Sequence, residues 1–320
     1  MRSLYAQRPD VYMVKELCGL LGVTKQAYYK HDPYVELRRM AKEEFALQYI
    51  RAMKAKDPGI GGMKLWLMYG REFGEMNRIG RDRFCDIIDR HGYKVRRRCR
   101  RPRTTDSRHN NPLYPNLVKS LIPTRVGEQI VGDITYIPLD SSGQKFCYVS
   151  LIMDSYSKFV LGASVGMTLE AKYPLEALSQ AIETLEGYGV DLSQTIHHTD
   201  RGVQYTCAEY IRALNSKSIS ISMTEGGNPK DNSEAERLNN TLKHELFHGL
   251  RFSSITQVRE ALDKAIKFYN YERPHLSLIR LTPAQACRMT GRFKRDWVSY
   301  RERAIDKANQ EVQERDESDV

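Results

Sequence analysis

The chain has 320 residues, a formal net charge of +10, and 41% hydrophobic against 28% charged side chains. That is too long for one small core and too apolar for a disordered polyelectrolyte, so two or three globular domains and a polyanionic partner are expected. No stretch reaches the roughly 18 apolar residues of a membrane span, and Met1 to Asp10 lacks an apolar signal core, which predicts a cytoplasmic protein with no membrane partner. The six cysteines, Cys18, Cys85, Cys99, Cys147, Cys207 and Cys287, are scattered without a Cys-x-x-Cys pair; in the cytosol they read as free thiols rather than disulfides or a zinc site.

Between residues 10 and 30, Val14, Leu17, Cys18 and Leu21 share one helical face, Gly22 stops that helix, and Thr24 is placed to cap a second one. The pattern fits a helix-turn-helix, with Lys25, Gln26, Tyr28 and Lys30 on the second helix as candidate DNA contacts; an ordinary helical hairpin is the other reading. Residues 35 to 95 predict about three helices, broken at Asp57 to Gly62, at Phe73-Gly74 and at His91-Gly92. The stretch Ile79 to Asp89 reads either as core packing or as a further DNA-binding helix. The run from Lys94 to Arg108 contains Arg96, Arg97, Arg98, Arg100 and Arg101. So dense a like charge must be solvated or neutralised, by a DNA backbone or as a bare basic linker.

From about Glu128 the hydrophobic period changes. Gln129 to Pro138, Lys145 to Met153 and Lys158 to Val165 predict three antiparallel strands joined by tight turns. A helix over 171–186, a short strand over 194–198, a helix over 208–216, a strand over 218–223 and a long helix from about Asp231 follow. That order predicts an α/β, ribonuclease-H-like fold: a mixed five-stranded sheet with helices, preceded by all-α N-terminal modules. The expected boundaries are a helix-turn-helix module at 1–32, a helical DNA-binding region at 33–95 and a basic linker at 96–126. The catalytic core spans 127–250, its helical extension 251–292 and a charged tail 293–320.

Three acids stand out. Asp133 interrupts an apolar strand among Ile130, Val131, Ile134 and Ile137, where a metal ion or a buried hydrogen-bonding network must compensate its charge. Asp200 closes the strand Ile196-His197-His198-Thr199, at the carboxyl end where open sheets place their sites. On the last helix Glu234 and Glu236 point to nearly opposite sides. Glu234 suits a capping role with Asp231 as N-cap, which leaves Glu236, with Asn240 and Lys243 on its face, to join the two aspartates. Carboxylates gathered without His or Cys partners suit Mg2+, and two such ions serve phosphodiester chemistry. His198 projects with Asp200 and, like Asn240, is expected to orient the site, although a satisfied core histidine is the other reading; Lys243 is placed to reach a phosphate, or is a solvated surface lysine. Asp154 and Asp191 occupy turns and need no chemistry.

Four motifs carry a resemblance: Gly-Asp-Ile-Thr-Tyr-Ile (132–137), His-Thr-Asp-Arg-Gly-Val-Gln-Tyr (198–205), the segment 227–245, and Tyr-Asn-Tyr-Glu-Arg-Pro-His-Leu-Ser-Leu (269–278), followed by Thr282-Pro283. In this order the chain resembles bacterial insertion-sequence transposases of the OrfB type, members of the retroviral-integrase-like superfamily with an Asp-Asp-Glu triad. The 35 residues between Asp200 and Glu236 match the spacing of that superfamily. The likeness reaches from the segment 17–24 to about Arg292. It departs in lacking a tryptophan shortly before Asp133 and in carrying Arg237 where a serine is usual.

The resemblance implies that Asp133, Asp200 and Glu236 are catalytic and bind two Mg2+ ions, with Mn2+ able to substitute. It implies hydrolysis at an element's DNA end, then attack of the freed 3′ hydroxyl on a second phosphodiester, with no covalent protein intermediate. The implied partners are double-stranded DNA (element ends and target), further copies of the chain as at least a dimer on DNA, and an upstream OrfA product or fusion. A catalytically inactive DNA-binding regulator and a ribonuclease-H-type nuclease are the alternatives.

Overall fold

The computed structural model of the chain describes residues 13–30, 34–74, 77–95, 111–140, 143, 145–225, 232–295, 297, 299, 302–307 and 310, with the backbone alone at 27, 28 and 30. Two short helices, α1 (Val14–Leu20) and α2 (Lys25–Lys30), come first. Gly22 takes a left-handed φ of 61° between them, and Val23 N–H donates back to Cys18 C=O at 3.0 Å. Glycine adopts that backbone without the penalty of a side chain, which is why the first helix stops there. Lys25 and Gln26 are exposed, whereas the side chains of Tyr28 and Lys30 lie outside the described residues.

Three longer helices follow: α3 (Tyr34–Lys56), α4 (Gly62–Phe73) and α5 (Arg81–Arg90). Their apolar faces meet, with Tyr49, Ile50 and Met53 packing among Leu65, Met68 and Tyr69 and against Phe84, Ile87 and Ile88. Packing therefore accounts for the amphipathic pattern of 79–89. All five candidate arginines of the basic run, Arg96, Arg97, Arg98, Arg100 and Arg101, lie outside the described residues.

The sheet contains β1 (Gln129–Pro138), β2 (Phe146–Asp154), β3 (Val160–Gly166), β4 (Ile196–Thr199) and β5 (Ser220–Met223) in the spatial order β3-β2-β1-β4-β5. β1–β2 and β2–β3 are antiparallel, while β1–β4 and β4–β5 are parallel. The helices of this half are α6 (Lys172–Gly187), α7 (Val203–Thr206), α8 (Ala208–Ser216), α9 (Ser233–Thr241), α10 (Ile255–Tyr271) and α11 (Pro283–Ala286). This is the ribonuclease-H-like arrangement.

Both faces of the sheet are covered, as the near-continuous apolar runs of its strands require. On one side Ile130, Ile152 and Leu161 meet Ala177, Leu178, Ala181 and Leu185 of α6 and Tyr210 and Leu214 of α8. On the other, Val131, Val149, Leu151 and Met153 meet Ala235, Leu238 and Leu242 from α9 and just beyond it, and Leu262 and Ala265 of α10. The cluster on this second side is continuous with the core of α3, α4 and α5.

The last helix differs from the long one expected at Asp231. Asp231 lies outside the described residues, and α9 passes at Leu242–Leu246 into a π-helical turn, closed by Phe247 N–H to Leu242 C=O at 2.8 Å. The chain then reverses before α10. Asp154 ends β2 fully buried and accepts from Gly127 N at 2.8 Å, Ser157 N at 2.7 Å and Ser157 Oγ at 2.6 Å. It thereby pins the entry to β1 against the β2–β3 turn.

The approach of α6 to the sheet depends on Gly162, where a Cβ would overlap the carbonyl oxygen of Ala177 and crowd Ala181 N. Backbone cannot yield as a flexible side chain does, so Gly162→Ala is expected to lose about 1–3 kcal/mol of stability in thermal or urea unfolding. Gly187→Ala, with nothing within 4 Å of its Cβ, should hold stability or gain up to about 1 kcal/mol. Equal effects from the two substitutions would contradict this packing.

Candidate active site

Asp133 occupies the middle of β1, opposite Leu151 of β2, and beyond the three residues of β1 that pair with β4. Strand alternation sends it to the same face as Val131, towards α9. One carboxylate oxygen accepts from the Ile134 amide at 2.9 Å and the other from Asn239 Nδ2 of α9 at 2.7 Å. Burial, and next the charge of Asp200, push this carboxyl up to about 7; the two hydrogen bonds pull it back and the charge of Glu236 adds to the rise. The same neighbourhood acts on buried Tyr205, whose hydroxyl is driven well above its ordinary range first by burial and then by Asp133, with Asp200 contributing.

Asp200 is half-buried just past the end of β4 and accepts from Gly202 N at 3.0 Å. A side chain at 202 would press on that oxygen, since a Cβ there would come within 3.0 Å of Asp200 Oδ1. A larger residue there would have to push the carboxylate oxygen aside by a few tenths of an ångström. Two positions earlier, His198 is buried and its Nδ1 meets Ser222 Oγ of β5 at 2.9 Å.

The start of α9 is tied to β1 by Asn232, whose Nδ2 donates to Gly132 C=O at 3.2 Å. The two competing glutamates then separate. Glu234 pairs with Lys158 at 2.7 Å, whereas Glu236 is exposed and its charge is felt at Asp133. One turn on, Asn239 is the asparagine that reaches Asp133, while Asn240 is exposed. The expectation for Asn240 thus falls to its neighbour, because Asn239 lies four residues after Ala235 and three before Leu242 on the buried side of the helix. That bracketing by buried residues is the signal the sequence carries for it. Lys243 is half-buried, with Nζ 4.0 Å from the centre of the Tyr136 ring. Burial lowers its pKa and the charge of Asp133 works against that fall. Tyr136 carries no comparable signal in the sequence.

The donors suit a hard divalent cation: they are oxygen-only, and Asp133 is a buried carboxyl whose ionised form an added positive charge would favour. Among the described residues, no three His, Cys, Asp or Glu side chains are gathered closely enough to hold an ion as they stand. Nor is any helix among them long and apolar enough to cross a membrane.

Residues 123–229 and 217–283 each match a family described as an integrase core domain. Over 257 residues the chain is 31% identical to a Mycobacterium tuberculosis protein assigned as a transposase for insertion sequence element IS986/IS6110, covering 79% of this chain and 90% of the relative. It is 26% identical over 292 residues to the transposase for insertion sequence element IS629 of Shigella sonnei, covering 89% and 95% of the two chains. The HTLV-2 integrase catalytic core domain, solved in complex with magnesium, is similar over 52% of this chain and 97% of its own, at 18% identity and a TM-score of 0.38. The chain belongs to the insertion-sequence transposases with an integrase-type core.

Proposed function

We propose that the chain cuts DNA at the ends of its element and joins the freed 3′ hydroxyl to a second phosphodiester, using Asp133, Asp200 and Glu236 as the catalytic carboxylates. The observation that carries this reading is the buried Asp133, held by Asn239 and sharing its electrostatic surroundings with Asp200 and Glu236. These three residues would hold the divalent ions. Bound there, a pair of Mg2+ ions, or Mn2+ in their place, supplies the activated oxygen nucleophile and the neutralisation of the leaving oxygen.

The remaining residues prepare the place. Asn239 directs one oxygen of Asp133. Lys243 stands in the turn just after α9, its amine stacked on Tyr136, where it binds a DNA phosphate as a point charge. Lys25, Gln26, Tyr28 and Lys30 of α2 hold the element end, and Arg96, Arg97, Arg98, Arg100 and Arg101 contact phosphates along it. The assembly is at least a dimer on paired ends, because one chain carries one carboxylate set and two ends must be handled together.

Replacing Asp133 or Asp200 with Asn, or Glu236 with Gln, is expected to abolish end cleavage and joining while DNA affinity persists, since the amide keeps the volume and removes the charge. Glu234→Gln should retain most activity, its partner being Lys158. Cleavage assays on a labelled element-end duplex and on an RNA–DNA hybrid separate the transposase from a ribonuclease and from an inactive regulator. An active Glu236→Gln beside a dead Glu234→Gln would overturn the assignment.

Neutralising the five arginines from Arg96 to Arg101 should weaken binding to every duplex alike. The slope of log affinity against log salt should flatten by about 0.9 for each DNA phosphate that is no longer neutralised. A binding titration across salt concentrations reads this directly, and an unchanged slope would leave the segment as a linker.

Mixing a carboxylate variant with a variant altered at Lys25, Gln26 and Lys30 should restore part of the joining activity, one subunit holding the end that another cuts. Absence of rescue, together with a complex of one protein per end in light scattering, would rule out that exchange.

A further inference from the structure

Two residues beyond Lys243, in the π-helical turn that follows α9, Glu245 is gripped from two directions. Arg273, in the segment just after α10, lays its guanidinium along the carboxylate, with Nε to Oε1 at 2.7 Å and Nη2 to Oε2 at 3.0 Å. This two-bond geometry is the strongest form of an arginine–carboxylate pair. Lys64 of α4 approaches from the N-terminal helices and donates to the same two oxygens at 2.6 and 2.9 Å. The main chain adds a third tie, Gly59 N–H to Glu245 C=O at 2.8 Å. That approach is so close that a Cβ on Gly59 would overlap the backbone of Glu245.

The cluster is withdrawn from water: the side chains of Lys64 and Glu245 are each 17% exposed and that of Arg273 is 6% exposed. Burial opposes the charge of Glu245, yet the hydrogen bonds and charge of Arg273, with Lys64 behind them, hold its carboxyl down at about 2. The remaining Arg273 nitrogen, Nη1, donates to His275 Nε2 at 2.7 Å. Burial and then the charge of Arg273 keep His275 far below its usual pKa, so it is neutral and able to accept. Two residues of the Tyr-Asn-Tyr-Glu-Arg-Pro-His segment thereby acquire a task.

A buried ion cluster adds little stability over a well-packed apolar one, and its best-attested use is to fix one arrangement among several. Here three distant pieces of chain converge on one carboxylate: α4, the turn after α9, and the segment after α10. The helix whose end is held carries Glu236 and Asn239, and Lys243 lies in the held turn itself. We infer that Arg273 and Lys64 are positioning residues that act through Glu245, fixing the pose of α9 against β1 and locking it to the N-terminal helices. The inference rests on the reading of Glu236 as a working carboxylate.

Lys64→Met tests this, because it removes the side-chain link from α4 to Glu245 and leaves the Gly59 backbone tie and the Arg273–Glu245 pair in place. Hydrogen exchange of the full chain should accelerate about tenfold in segments 57–65 and 242–248 and stay unchanged in β2 at 146–154. The single-turnover rate of end cleavage should fall about tenfold, with DNA affinity held within about twofold, as for a misplaced catalytic group. Lys64→Arg, which keeps the charge and the donors, should recover part of both. Gly59→Ala, which wedges the two backbones apart, should reproduce the exchange pattern of Lys64→Met. Acceleration of exchange throughout the chain would reduce the cluster to a fold-holding element. Local acceleration with an unaltered rate, or a lost rate without local acceleration, would each overturn the positioning role. If the unaltered chain cuts no DNA, the transposase reading fails, while the exchange measurement still decides whether the clamp exists.

Discussion

Asp133 sits in the central strand of a sheet covered on both faces, and its carboxyl is pushed up to about 7 by burial, by Asp200 and by Glu236. An acid in that setting is close to giving up its charge at neutral pH, and keeping it ionised requires a cation or further donors. The chain supplies one side-chain donor, Asn239, and brings two more acids into electrostatic range where an apolar core would have brought none. Such a concentration of like charge works against the stability of the fold, which is what a site made to receive a positive ligand would show. The local devices follow from this constraint: Gly202 turning the chain over Asp200, Asn232 fastening the start of α9 to Gly132, and Lys158 taking Glu234 away from the site.

The helix α9 and the turn after it carry much of this burden. Ala235, Leu238 and Leu242 pack it onto the sheet, Asn239 joins Asp133, and Lys243 stacks on Tyr136. Where the helix widens at Leu242–Leu246, Glu245 meets Lys64 and Arg273. The N-terminal helices therefore share a core and a buried ion cluster with the sheet. α4, packed with α3 and α5, thus meets the turn after α9.

Much of the fold was legible in the sequence because the elements have strong and different periods. Alternation of apolar residues gave β1 its limits at 129 and 138, and glycines marked the ends of α3, α4 and α5 within a few residues. The separation of Glu234 from Glu236 came from helical period alone, and the folded chain gives Glu234 to Lys158. The same period pointed to Asn240, and the folded chain uses Asn239, only about 100° of rotation away. Two further features were out of reach. The π-helical turn at Leu242–Leu246 has no sequence signature, and the meeting of Lys64, Glu245 and Arg273 joins residues separated by 181 and 28 positions. A pattern confined to neighbours along the chain cannot register contacts of that kind.

The central claim is that Asp133, Asp200 and Glu236 together hold divalent ions. Anomalous diffraction from crystals of the full chain grown with an element-end duplex and Mn2+ tests it most directly. The account predicts manganese peaks in contact with carboxylate oxygens of all three residues, with Asn239 still bonded to Asp133. Manganese bound elsewhere, with Glu236 turned to solvent and Asp133 touching only Ile134 and Asn239, would contradict it.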